Sequence, residues 1–70
     1  MSQQLSPTQY ELLELMAASP RGYRTKTAEG SKDMCELAMR GYAHDVYEMG
    51  SGGFIGSISQ AGRDALAQKP

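Results

Sequence analysis

The fold class predicted for this 70-residue chain is α+β, with three short helices and one β-hairpin, and three observations carry that reading. The segment Leu5-Ser6-Pro7-Thr8-Gln9 is built to start a helix. The stripe Met34, Leu37, Ala38 repeats at helical spacing and stops at Gly41. Beyond it, two extended segments flank Gly50-Ser51-Gly52-Gly53, and a serine then opens a last apolar-striped run.

In the first element Ser6 caps the leading amides, Pro7 takes the first helical position and Gln9 completes a capping box. Leu5 and Tyr10 are spaced as a hydrophobic staple. Tyr10, Leu13, Met16 and Ala17 form the inward stripe, and Glu11 and Glu14 lie opposite. Ser19-Pro20-Arg21-Gly22 ends the helix, because the residue before proline avoids the helical region and glycine adds a second break. The predicted span is 7 to 18. Residues 19 to 27 hold one large apolar side chain, Tyr23, and read as a connection.

Thr27 or Ser31 caps the second helix, with Gly30 between them. Met34, Leu37 and Ala38 face inward, flanked by Cys35 and Met39, while Lys32, Glu36 and Arg40 line the other side. Gly41 suits the left-handed residue that closes a helix, and Tyr42 folds back towards Leu37. The hairpin strands are predicted at 43 to 49 and 54 to 58. Ser59 caps the third helix, 60 to 68, which packs through Ala61, Ala65 and Leu66. The whole chain reads as one domain with its ordered core over about residues 5 to 68.

Composition excludes several function classes. Hydrophobic residues make up 40% of the chain, with one Phe and no Trp, and a chain this short buries only about 60% of the surface its unfolded form exposes. Self-association or a partner therefore adds stability. The longest apolar stretch, Leu12 to Ala18, is interrupted by Glu14 and falls far short of the roughly 20 residues of a membrane span. The first residues have neither the basic flank nor the apolar core of a signal peptide, so a cytoplasmic protein without membrane contact is expected. Cys35 is the only cysteine, so no internal disulfide forms and a zinc site would lack its usual thiolates. An apolar position on the second helix makes it a buried, inert thiol.

No cofactor, metal site or catalytic residue is expected. His44 and Asp45 are adjacent, and adjacent side chains in a regular strand point to opposite faces, so they do not form a pair there. The glycine-rich run 50 to 56 misses the G-x-G-x-x-G spacing and leads into no helix, which makes it a hairpin tip.

The net charge of −1 is unevenly spread: residues 20 to 40 carry +2, and residues 1 to 19 and 41 to 59 carry −2 each. Arg21, Arg24, Lys26 and Lys32, interleaved with Tyr23, form the patch best suited to phosphates. Exposed Arg and Tyr are equally the types enriched in protein interfaces. If the second helix entered a groove, Ser31, Lys32, Glu36 and Arg40 would face the bases, with Glu29, Asp33 and Glu36 repelling phosphates. Tyr42, Tyr47, Phe54 and Ile55 cannot all fit so small a core. Packing under the helices accounts for them first, and a dimer or partner interface second. Five Met residues suit irregular core filling.

Leu37-Ala38-Met39-Arg40-Gly41-Tyr42-Ala43, then strand, glycine-rich tip and strand, and then Ile58-Ser59-Gln60-Ala61-Gly62-Arg63-Asp64-Ala65-Leu66, resembles the winged helix-turn-helix family. The resemblance covers about residues 6 to 67 and implies a winged-helix-like domain with the hairpin as its wing. Its compact form is similar to small proteins of bacteria and their phages. Residues 19 to 27 carry no pattern for the family's short positioning helix, and the turn from Met49 to Gly56 bears no charge where DNA-reading members place Arg or Lys. The expectation is a non-enzymatic regulatory or inhibitory module that binds an unidentified protein partner. The alternative is a dimeric regulator that binds duplex DNA. Arg21, Tyr23, Arg24, Lys26, Lys32, Arg40 and Phe54 are the partner- or DNA-binding residues in either case.

Overall fold

In chain order the elements are α1 (Pro7–Ala17), β1 (Tyr23–Arg24), α2 (Ala28–Met39), β2 (Ala43–Glu48), β3 (Phe54–Ile58) and α3 (Gln60–Ala67). A computed structural model describes residues 5–50 and 52–68. The strands form one antiparallel sheet in the order β1-β3-β2. The α+β class read from the sequence is therefore what the chain adopts.

Each helix start follows its capping residue. The Ser6 hydroxyl accepts from the Gln9 amide at 3.2 Å, and Gln9 Oε1 accepts from the Ser6 amide at 3.0 Å, which closes the box. Thr27, and not Ser31, caps α2, accepting from the Gly30 amide at 2.9 Å. α2 closes with Gly41 at φ 83°, its amide on the Ala38 carbonyl and the Tyr42 amide on the Leu37 carbonyl. That pair of bonds satisfies the last carbonyls. Ser59 caps α3 through the Gly62 amide and also donates to the Gly41 carbonyl at 2.6 Å, so one side chain joins the end of α2 to the start of α3.

Residues 19 to 27 are more than a connection. The Gly22 amide closes a turn on the Ser19 carbonyl, and β1 then pairs with β3, Tyr23 opposite Gly56 and Arg24 opposite Ile55. With two residues and little apolar content, β1 has no periodicity to show; its place comes from the partner strand.

The core joins Leu12, Leu13 and Met16 of α1, Met34 and Leu37 of α2, Ala43 and Ile58 of the hairpin, and Leu5. Leu12 and Gln9 are buried beside the expected stripe, so α1 buries a wider face than the sequence indicated. Met39 is 87% exposed. It lies about 140° around α2 from Met34, which turns it away from the core. In α3, Ala65 and Leu66 pack inward, but Ala61 is exposed and Gly62 is buried in its stead. Tyr42 and Phe54 pack against the core, Ile55 is half-buried and Tyr47 is exposed.

β2 departs from regular alternation. His44 pairs with Ser57 and Tyr47 with Ile55, so Asp45 and Val46 stand against Gly56 alone, and Asp45 has φ 55°. Strict alternation from buried Ala43 would turn Asp45 inward. The bulge shifts the phase so that Val46 packs on the core and Asp45 stays in water.

Candidate interaction surface

The surface is organised around Thr25, a polar side chain that is 3% exposed. Its amide donates to the Phe54 carbonyl at 2.8 Å, and its hydroxyl accepts from the Phe54 amide at 2.9 Å. The same hydroxyl lies 2.8 Å from Ser31 Oγ in the first turn of α2. Thr25 thus extends the β1–β3 pairing and fixes the start of α2 against the hairpin. The residues that follow it, Lys26 and Thr27, are exposed and wall off two grooves from each other.

The first groove encloses about 540 Å³ between Arg24, Lys26, the first turn of α2 and the tip glycines Gly52 and Gly53. Arg24 donates to the Gly52 carbonyl at 3.2 Å, so the uncharged tip is joined to a cation from β1. Gly53, at φ 80°, passes so close that a Cβ there would sit 2.7 Å from the Thr25 carbonyl. Among the described residues no acidic side chain lines this groove. The second groove encloses about 360 Å³ on the α1 side, with Leu12, Leu15 and Tyr23 as its apolar part and Glu11, Glu29 and Asp33 as its acidic part. Lys26 is its one cation among the described residues. Leu15 is 42% exposed within it, a large apolar side chain left half in water.

The seven residues singled out in the sequence are divided by this geometry. Arg24 and Lys26 share the first groove, and Tyr23 and Lys26 share the second. Arg21 is exposed outside both, in the turn before β1. Lys32 is exposed on α2, and Arg40, its C-cap, stands roughly 20 Å along the helix from Thr27. Phe54 is partly buried against the core. The reading face expected on α2 is also narrower: Ser31 is held by Thr25, and Glu36 is half-buried beside the Gln9 amide, 3.4 Å from Nε2. Lys32 and Arg40 remain outward. Thr25, Leu15, Glu11, Glu29 and Asp33, which shape the surface most, were not among the seven.

His44 and Asp45 do meet, contrary to the expectation from strand alternation, with Nδ1 3.0 Å from Oδ2. The left-handed φ of Asp45 breaks the alternation and brings both side chains to one side. The pair is 54% and 80% exposed. Water screens it, so it has little influence on stability. Cys35 is a half-buried free thiol. Among the described residues no group of three or more His, Cys, Asp or Glu is placed to hold a metal, and no helix is long and apolar enough to cross a membrane.

The chain matches no known family, no curated protein and no solved structure.

Proposed function

We propose that this chain is a non-enzymatic protein-binding module, regulatory or inhibitory in role and cytoplasmic, on a winged-helix-like scaffold. The scaffold reading is supported by the element order, in which α2 leads through Gly41 into the β2–β3 hairpin and Ser59 starts a closing helix. The observation that carries the functional reading is the pairing of two grooves of opposite sign across Lys26 and Thr27, one of them with an apolar floor. A phosphate backbone presents one sign of charge, and Glu11, Glu29 and Asp33 oppose it across the wall from Arg24 and Lys26. A protein surface offers both signs and apolar anchors together, and Leu15 and Tyr23 suit such anchors.

Affinity capture from a lysate of the source organism tests this: the folded wild type retains a stoichiometric partner, and Leu15→Asp or Lys26→Glu loses it. Capture unchanged by both substitutions refutes this surface, and failure of intact wild type to retain any protein refutes the reading. The second reading, a dimeric DNA-binding regulator, is favoured by the first groove alone, whose described lining joins two cations and the tip glycines. It requires duplex binding that falls with salt and weakens when Arg24 and Lys26 are both replaced by Ala.

A further inference from the structure

We infer that the partner this mixed-sign surface fits is a second copy of the same chain, joined about a two-fold axis. The inference rests on the protein-binding reading above and gives that surface an occupant. In each copy the Lys26–Thr27 wall stands between a basic and an acidic groove. Setting the wall of one copy into the acidic groove of the other brings Lys26 of the first towards Glu29 and Asp33 of the second, with Arg24 on the basic side of the same wall. A two-fold axis between wall and groove repeats the contact in reverse, which is the requirement of a closed, self-complementary interface. Lys26 also lines the acidic groove, but the three carboxylates there, Glu11, Glu29 and Asp33, outnumber the one lysine that an incoming Lys26 meets among the described residues. Leu15, 42% exposed on the groove side, is covered in the same step.

A standard interface takes about 800 Å² from each partner, roughly a sixth of the 4588 Å² this chain exposes, so the contact must extend beyond the two grooves. For a 70-residue domain with a small core, that burial adds to a narrow folding margin. The contact consists largely of exposed charges, so the dimer weakens with added salt.

Sedimentation equilibrium on the full chain tests the arrangement with two charge-reversed variants, Glu29→Lys with Asp33→Lys and Arg24→Glu with Lys26→Glu. The wild type is expected to dimerise and to dissociate towards monomer in about 0.5 M NaCl. Each variant alone should dimerise about tenfold more weakly or worse, since every reversal acts twice across a two-fold axis. An equimolar mixture of the two should dimerise again, because positions 24 and 26 of each copy then again face residues of opposite charge at positions 29 and 33 of the other. Circular dichroism melting of each variant establishes folding, and if a double variant is unfolded, the single changes Glu29→Lys and Lys26→Glu repeat the mixing test. A wild type that is monomeric at all concentrations, a dimer indifferent to both reversals, or a mixture that stays monomeric overturns the inference. A monomer that still captures a partner through Leu15 overturns the two-fold dimer and leaves the protein-binding reading standing. A dimer formed as described, with no other protein captured, overturns the wider regulatory role and leaves the dimer.

Discussion

Replacing Gly62 by alanine sets helix propensity against packing. Gly62 lies in the first turn of α3 and is buried. A Cβ there would run into the Tyr42 carbonyl and would sit 2.8 Å from Ile58 Cγ1 and 3.3 Å from Leu13 Cδ2. Propensity alone favours Ala by about 1 kcal/mol. Overpacking costs about 1–3 kcal/mol, at the upper end here because the nearest obstacle is backbone. The Tyr42 carbonyl also accepts from the Ser59 amide at 3.0 Å, and moving it loses about 1 kcal/mol more. The net expectation is a loss of about 1–3 kcal/mol from a total that, at this length, is about 3.5–10 kcal/mol. A loss of 2 kcal/mol lowers Tm by about 10 °C. Urea and thermal unfolding followed by circular dichroism measure it, with exposed Ala61→Gly as a control that loses only propensity, about 1 kcal/mol or less. A Gly62→Ala protein as stable as wild type, or more so, refutes the close approach of α3 to Tyr42.

Three further changes test the features that shape the surface. Thr25→Val keeps the side-chain volume but removes the hydroxyl shared by the Phe54 amide and Ser31, so about 1–3 kcal/mol of stability should be lost, with faster hydrogen exchange at Phe54; unchanged exchange there contradicts the role given to Thr25. Asp45→Val should cost about 1–2 kcal/mol and Asp45→Gly less than about 0.5 kcal/mol, because a β-branched side chain resists φ 55°; equal stability of the two variants in urea refutes the bulge. Gly41→Ala should lower stability by about 1 kcal/mol through its φ of 83° alone, since a Cβ there meets nothing within 4 Å; chemical denaturation that finds no change removes the left-handed closure of α2.

The helices were legible because their signals are local. Ser6 with Gln9, Gly41 with Tyr42, and Ser59 each make bonds to amides or carbonyls within six residues. β1 was not legible, because Tyr23 and Arg24 acquire strand geometry only from β3, some thirty residues later. The same reason hid Thr25, whose hydroxyl accepts from the amide of Phe54, far along the chain. The bulge at Asp45 escaped because alternation fixes side-chain direction only while the register is unbroken. The glycine of Ala61-Gly62-Arg63, part of the family-like pattern, gains a physical cause in the structure: it lets α3 lie against the Tyr42 carbonyl. At the candidate site the cations were visible in the sequence, but the acidic groove was not. Glu11 and the pair Glu29 and Asp33 come from different helices and meet only when α1 packs on α2.

The measurement that bears most directly on the central claim is fluorescence anisotropy of labelled mixed-sequence duplex DNA titrated with the full chain, at low and at near-physiological salt. A surface in which Glu11, Glu29 and Asp33 stand beside Arg24 and Lys26 should leave the duplex unbound even at low salt. Tight binding that falls steeply with salt and is lost when Arg24 and Lys26 are both changed to Ala would contradict the protein-binding account and establish the basic groove as a phosphate site.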